Sequence, residues 1–219
     1  MKTRIISDDF RRTVFRAEHE DLDAVSRAPF LKTDLAPSMF DGPRKALCSA
    51  LPHLTNTSGR LHLDGQVAPL TAKGLKNLGR FQDFDVDTVS VRYDPTDIPA
   101  GNSHLHVKSC TGLVEAAEFV DSFRAAKSNN TALAIVPDQG LRGFLSEPRF
   151  RIIPSNLWMS KQIDDEETYF LKLVALGLLY SIDLRAGKLV IDNDVEVSGT
   201  TLGNMRNVLF TVGLNLELV

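Results

Sequence analysis

Residues 103–136 constrain the fold more than any other stretch of the chain. Ser103-His104-Leu105-His106-Val107-Lys108 alternates with the two-residue period of a strand. Thr111 then caps a segment in which Leu113, Ala116, Ala117, Val120 and Phe123 recur at helical spacing, and Asn129-Asn130 stops it. Thr131-Ala132-Leu133-Ala134-Ile135-Val136 follows as a short apolar strand. Strand, helix and strand in that order make a β-α-β unit, which pairs its strands in parallel through a right-handed crossover. The pattern predicts a strand at 103–108, a helix at 112–127 and a strand at 131–136. Leu105, Val107, Leu133 and Ile135 should lie in the buried layers of the sheet.

The flanking segments extend this unit into an α/β or α+β fold with a mixed sheet. Ser7-Asp8-Asp9 reads as a helix start, with Phe10, Val14, Phe15, Leu22 and Val25 as an apolar stripe, so a helical arm is expected over 1–28 of a single domain, 1–219. Arg60–Leu63 and Gln66–Leu70 flank Asp64-Gly65, a dipeptide suited to a type I′ turn, and predict an antiparallel hairpin near 60–70. Short helices are expected from Pro43 to Leu51 and from Thr71 to Gly79, and a strand with a phase slip near Thr88 from Phe84 to Tyr93. Phe150–Ile153 reads as a strand. Asp164–Tyr180 reads as a helix, with Asp164 and Glu167 at capping-box spacing. Lys188–Ile191 and Val195–Val197 suggest a second hairpin across Asp192-Asn193-Asp194. From Val208 onward the residues alternate as a half-buried C-terminal strand.

Composition narrows the class of function. With 43% hydrophobic and 24% charged residues the chain has the make-up of a folded domain, and no apolar run reaches the roughly 18–20 residues of a membrane span. Lys and Arg number 25 against 28 Asp and Glu, and this net charge of −3 gives nucleic acid no bulk attraction. Lys2, Arg4, Arg11, Arg12 and Arg16 precede Glu18, Glu20, Asp21 and Asp23, a sorting that suits a solvated helix with pairs such as Arg16–Glu20. Cys48 and Cys110 stand apart from any C-x-x-C pair and are expected to be buried thiols in a reducing compartment. The N-terminus has a basic start but no apolar core of a secretory signal, and Asp8, Asp9, Glu18, Glu20 and Asp21 disfavour a mitochondrial presequence, so the expected location is cytoplasmic, or the virion if the protein is viral.

The chain has no G-x-x-x-x-G-K-[ST], no G-x-G-x-x-G, no H-E-x-x-H and no G-x-S-x-G. Gly112 stands alone beside Thr111, which is capping chemistry before it is an anion site. Asp83, Asp85 and Asp87 alternate in a manner that invites a hard cation, but the Gly of a calcium loop is replaced by Thr88. His104-Leu105-His106 offers half of a zinc site with nothing spaced to complete it, so neither metal nor cofactor is expected.

His53-Leu54-Thr55 and His104-Leu105-His106 are the sharpest chemical feature. Leu51-Pro52-His53-Leu54-Thr55-Asn56-Thr57-Ser58 resembles the first motif of the cyclic-phosphodiesterase branch of the two-histidine phosphoesterases. The resemblance implies a general acid–base pair of His53 with His104 or His106, with Thr55 on the phosphate oxygens of a cyclic or 2′,5′-linked phosphate. Two residues beyond His106 stands Lys108, where that family's second motif has a hydroxyl.

The leading expectation is different. The irregular stretches 29–42, 94–102 and 137–148 exceed ordinary connections, and the chain closes on Leu216-Glu217-Leu218-Val219. The lack of a complete catalytic constellation points away from an enzyme, and these two features point toward a structural or assembly protein that forms a homo-oligomer or larger assembly, a viral or phage particle included. Trp158, Leu214, Leu216 and Leu218 are its candidate interface residues.

Overall fold

The structure is a computed structural model, and it describes the chain apart from residues 9–11, 21–22, 25–29, 35, 38–41, 82, 93–100, 126–127, 140–144 and 193–194. In chain order the described elements are β1 (Lys2–Ser7), β2 (Thr13–Glu18), β3 (Leu31–Thr33), α1 (Gly42–Ala50), β4 (Arg60–Leu61), α2 (Pro69–Leu78) and β5 (Asp85–Val86). They continue with β6 (Ser103–Ser109), α3 (Leu113–Arg124), β7 (Asn130–Pro137), β8 (Leu145–Ser146), β9 (Phe150–Ser155), α4 (Leu157–Ile163) and α5 (Glu166–Tyr180). β10 (Ala186–Ile191), α6 (Gly199–Phe210) and β11 (Asn215–Leu218) complete them.

The β-α-β unit forms as its periodicity predicts. β6 and β7 run parallel, Leu105 opposite Thr131 and Val107 opposite Leu133. Leu105, Val107, Leu133 and Ile135 are buried. Around this pair the main sheet is ordered β1-β2-β3-β9-β7-β6-β10-β11, with β8 added on β9. β9, β7, β6, β10 and β11 are mutually parallel, while β1, β2 and β3 extend the sheet in antiparallel pairs. The fold is therefore α/β with a mixed sheet. Taken in chain order, the parallel strands lie 3-2-1-4-5, the order of a doubly wound sheet.

Alternation along each strand builds a separate core on each face. On one face Leu105, Val107, Leu133, Ile135, Ile153, Leu189 and Ile191 pack with residues of α1, α2, α5 and α6. On the other, Ala132, Ala134, Val136, Phe150 and Ile152 pack beneath Ala116 and Val120 of α3. α5 is apolar around most of its circumference because it is buried between the sheet and α1.

Several expectations are corrected. Among the described residues of 1–28 there is no helical arm: β1 and β2 pair antiparallel, Ile5 opposite Phe15. Thr3, Ile5, Ile6, Thr13 and Val14 are β-branched and favour a strand. The Asp8 carboxylate accepts from the Arg12 backbone at 3.0 Å and from Arg12 Nε at 2.7 Å. Phe10, Leu22 and Val25 of the expected stripe lie outside the described residues, as do 94–100 and Asn193-Asp194.

No antiparallel hairpin forms near 60–70 either. β4 pairs in parallel with β5, and Pro69, the residue that weakened a second strand, opens α2. Gly65 has φ of 131°, far from a type I′ turn, and the Asp64 carboxylate is used to accept from the Ile5 backbone at 2.9 Å. The strand expected over Phe84–Tyr93 is only β5, because a 3-10 turn at Thr88–Ser90 interrupts it where the phase slips. The Lys188–Val197 hairpin is absent, since β10 takes β6 and β11 as parallel neighbours. The C-terminal strand exists but is shorter than expected. Ser198 caps α6 by accepting from the Thr201 backbone, and Gly213, at φ of 73°, turns the chain out of that helix into β11.

Candidate functional site

The sheet separates the histidines. His53 sits in the 3-10 turn Leu51–Asn56, which packs against α5, and is 1% exposed. His104 and His106 point to the opposite face, where the His106 ring lies 4.4 Å from the Phe123 ring of α3. With the sheet between the two sets, the acid–base pair implied by the phosphoesterase resemblance is not assembled among the described residues. Thr55 is buried, and its hydroxyl shares a 2.8 Å hydrogen bond with that of Thr168. Burial, with the charges of Lys172 and His19, pushes the His53 imidazole down to about 3, against a weaker opposing hydrogen bond with the Phe15 backbone. Its Nε2 has no hydrogen-bond partner among the described residues. The His106 imidazole is also lowered, chiefly by burial and then by the charge of His104.

The other chemical candidates are occupied by their own neighbours. Lys108 bridges Asp192 at 3.1 Å and Glu115 at 3.4 Å, and its hydrogen bond to Asp192 raises it above the ordinary lysine value. Glu115, in the first turn of α3, accepts from the Thr111 backbone and hydroxyl, both at 2.8 Å; the N-cap is Gly112 and makes no side-chain capping bond, so Thr111 does not cap the helix as expected. Asp85 turns to Lys76 at 3.5 Å and Asp87 to His62 at 2.6 Å, which splits the acidic run. Among the described residues no three His, Cys, Asp or Glu side chains gather to hold a metal. Cys48 and Cys110 are buried free thiols; burial raises both, Cys110 to about 12.

Most of the expected interface residues belong to the fold. Leu214 and Leu216 are core residues, and Leu218 packs against that core. Trp158 is half-buried on α4 and donates from Nε1 to Asp138 at 3.0 Å, which in turn holds Lys32 at 2.7 Å. The sheet edges are guarded as well. Thr3 N–H donates to the His62 carbonyl at 2.9 Å beside β1, and Arg206 Nε donates to the Leu216 carbonyl at 3.2 Å on β11.

Part of the exposed apolar surface lies on α2 and α6, of which the sequence pattern predicts a helix only at α2. α2 and α6 are locked antiparallel: Thr71 and Thr211 share a 2.7 Å hydrogen bond, and Asn204 Nδ2 donates to the Asn77 carbonyl at 3.0 Å. Between these ties, a Cβ on Gly74 would come within 2.4 Å of Val208 Cγ2. Leu70 is 71% exposed and Phe210 72% on this pair. Neither helix contains an acidic residue, while Lys73, Lys76 and Arg206 are basic. Across the sheet, α3 exposes Val114 (75%) with Glu118 and Asp121 following at i+4 and i+7 on the same helical face. In a sequence an exposed Leu, Phe or Val looks like any core position, which hides both patches.

Comparison with protein-family models, with curated proteins and with solved structures finds no match to this chain. No helix among the described residues is long and apolar enough to cross a membrane.

Proposed function

We propose that the protein is a structural subunit that assembles with copies of itself, the α2–α6 face of one copy meeting α3 of the next. The observation that carries this reading is the complementarity of two patches on opposite sides of the sheet. One surrounds Leu70 and Phe210 with Lys73 and Arg206; the other sets Val114 beside Glu118, with Asp121 held by Arg124 at 2.8 Å one turn further on. Apolar anchors ringed by opposite charges supply both the burial and the register of a protein interface. Because the patches differ and lie on opposite faces, the contact is heterologous. It propagates from copy to copy into a ring or an open array, the architecture of a repeating particle such as a viral or phage shell.

The test is the mass of the protein by light scattering across a concentration series. Mass rises above that of the monomer with concentration, and the Leu70→Asp/Phe210→Asp variant stays monomeric with an unchanged circular dichroism spectrum. A monomer at every concentration defeats the reading.

A further inference from the structure

Beneath the amino-terminal ends of β6, β7, β9 and β10 opens a cleft of about 540 Å³, at the edge of the sheet opposite the ends of Lys108 and Asp192. Its volume falls in the range of small-molecule sites. Asn102, Ser128, Asn129, Arg149, Asp183 and Arg185 are among its lining residues. The charges there do not cancel. The Asp183 carboxylate is engaged by Arg151 at 3.2 Å, with side chains 3% and 10% exposed, so it is neutralised from within the fold. Arg149 is held by the backbone, donating from Nη2 to the Ser128 carbonyl at 2.6 Å and the Asn130 carbonyl at 2.7 Å. Among the described residues neither Arg149 nor Arg185 has a carboxylate partner. Two guanidinium charges therefore remain in a polar cleft.

Arg185 also holds an unusual backbone position. Its φ is 50°, and it is the one non-glycine residue with positive φ among the described residues. It ends the turn after α5, where Arg185 N–H donates to the Ile182 carbonyl at 2.9 Å and Ala186 N–H to the Ser181 carbonyl at 2.7 Å. Such positions ordinarily take glycine, because an L side chain there is strained. The turn is also clamped: a Cβ on Gly101 would lie 2.1 Å from the Arg185 carbonyl oxygen, and Ser103 Oγ donates to that same oxygen at 2.9 Å. A long cation at a strained, rigid position on the rim of a cleft is the mark of a side chain kept for what it binds.

We infer that this cleft binds a small organic phosphate, with Arg149 and Arg185 supplying the charge that holds its anionic group. Guanidinium groups match phosphate oxygens in geometry as well as charge. The side chains of Asn102, Ser128 and Asn129 provide donors and acceptors for a hydroxyl-bearing body, for which a bare phosphate leaves the cleft room. The site is independent of the assembly contact, which involves α2, α3 and α6.

Isothermal titration of the full chain with inorganic phosphate and with ribose 5-phosphate tests the inference. Both bind saturably, and ribose 5-phosphate binds more tightly. Arg185→Gly removes the guanidinium and relieves the positive φ, so the variant folds at least as stably as the parent. Its affinity for ribose 5-phosphate falls about tenfold or more, the loss expected for a charge-assisted hydrogen bond. Absence of saturable binding, ribose 5-phosphate no tighter than inorganic phosphate, or an unchanged affinity in Arg185→Gly each overturns the inference.

Discussion

Lys172 and Asp164 meet at 2.7 Å in the interior, with side chains 1% and 5% exposed. Lys172 lies on α5 and Asp164 follows α4, and Ser160 takes a further hydrogen bond from the ammonium at 3.0 Å. The pair fastens two consecutive helices at a point where an apolar contact would serve equally well. Removing the acid alone strands a buried cation, so Asp164→Ala should cost about 3–5 kcal/mol in urea unfolding. Lys172→Met, close in volume and uncharged, leaves the Asp164 carboxylate without its cation; combining it with Asp164→Leu should restore most of the loss. A double variant no more stable than Asp164→Ala would contradict this account.

Acid should loosen the fold before the carboxylates titrate. Burial holds the folded His53 imidazole at about 3, against an ordinary value of 6.5. Between those values the unfolded chain binds a proton that the folded chain refuses, so stability is full above pH 6.5 and falls as pH drops toward 3. The slope is up to about 1.4 kcal/mol per pH unit. Asp165, held at about 2 by Arg80, adds its own loss only below its ordinary value of 3.8. Urea midpoints measured from pH 7 to pH 4.5 should decline in the native protein and decline less steeply in His53→Asn, where the lowered His106 imidazole still contributes, after correction for its lower starting stability. Parallel declines in the two would remove His53 as the cause.

The tie between α2 and α6 depends on a missing side chain. A methyl at Gly74 meets Val208 Cγ2 at 2.4 Å, so Gly74→Ala should destabilise by about 1–3 kcal/mol despite alanine's better helix propensity. Val208→Ala in the Gly74→Ala background should recover part of that loss, a coupling that a double-mutant cycle measures directly. Additive effects would mean that the helices are not in close contact there.

What was legible in the sequence followed from period. β6, α3 and β7 show clean periods of two and then 3.6, and Leu105, Val107, Leu133 and Ile135 are buried as that pattern requires. The errors arose where one signal serves two structures. Asp8 is as good a turn cap as a helix cap, and Pro69 opens a helix as readily as it ends a strand. Val208, Phe210 and Val212 alternate like a strand, but Ser198 and Gly213 bracket a helix through Phe210, with Val212 in the turn beyond it. Leu214 and Leu216 suggested an interface because a greasy terminus reads alike whether its cover is the same chain or another. The Arg149–Arg185 cleft carries no local motif, since its residues come from four separate strand beginnings. Only the parallel sheet brings them together.

Charge reversal tests self-assembly most directly. Lys73→Glu puts an acid on the basic patch and Glu118→Lys puts a base on the acidic one; both positions are exposed. Light scattering at a concentration where the native protein assembles should show each single variant falling toward monomer mass. The double variant, whose two patches are again complementary with their signs exchanged, should regain the native mass. A native protein that stays monomeric at every concentration, or a double variant no larger than the single ones, would contradict the account.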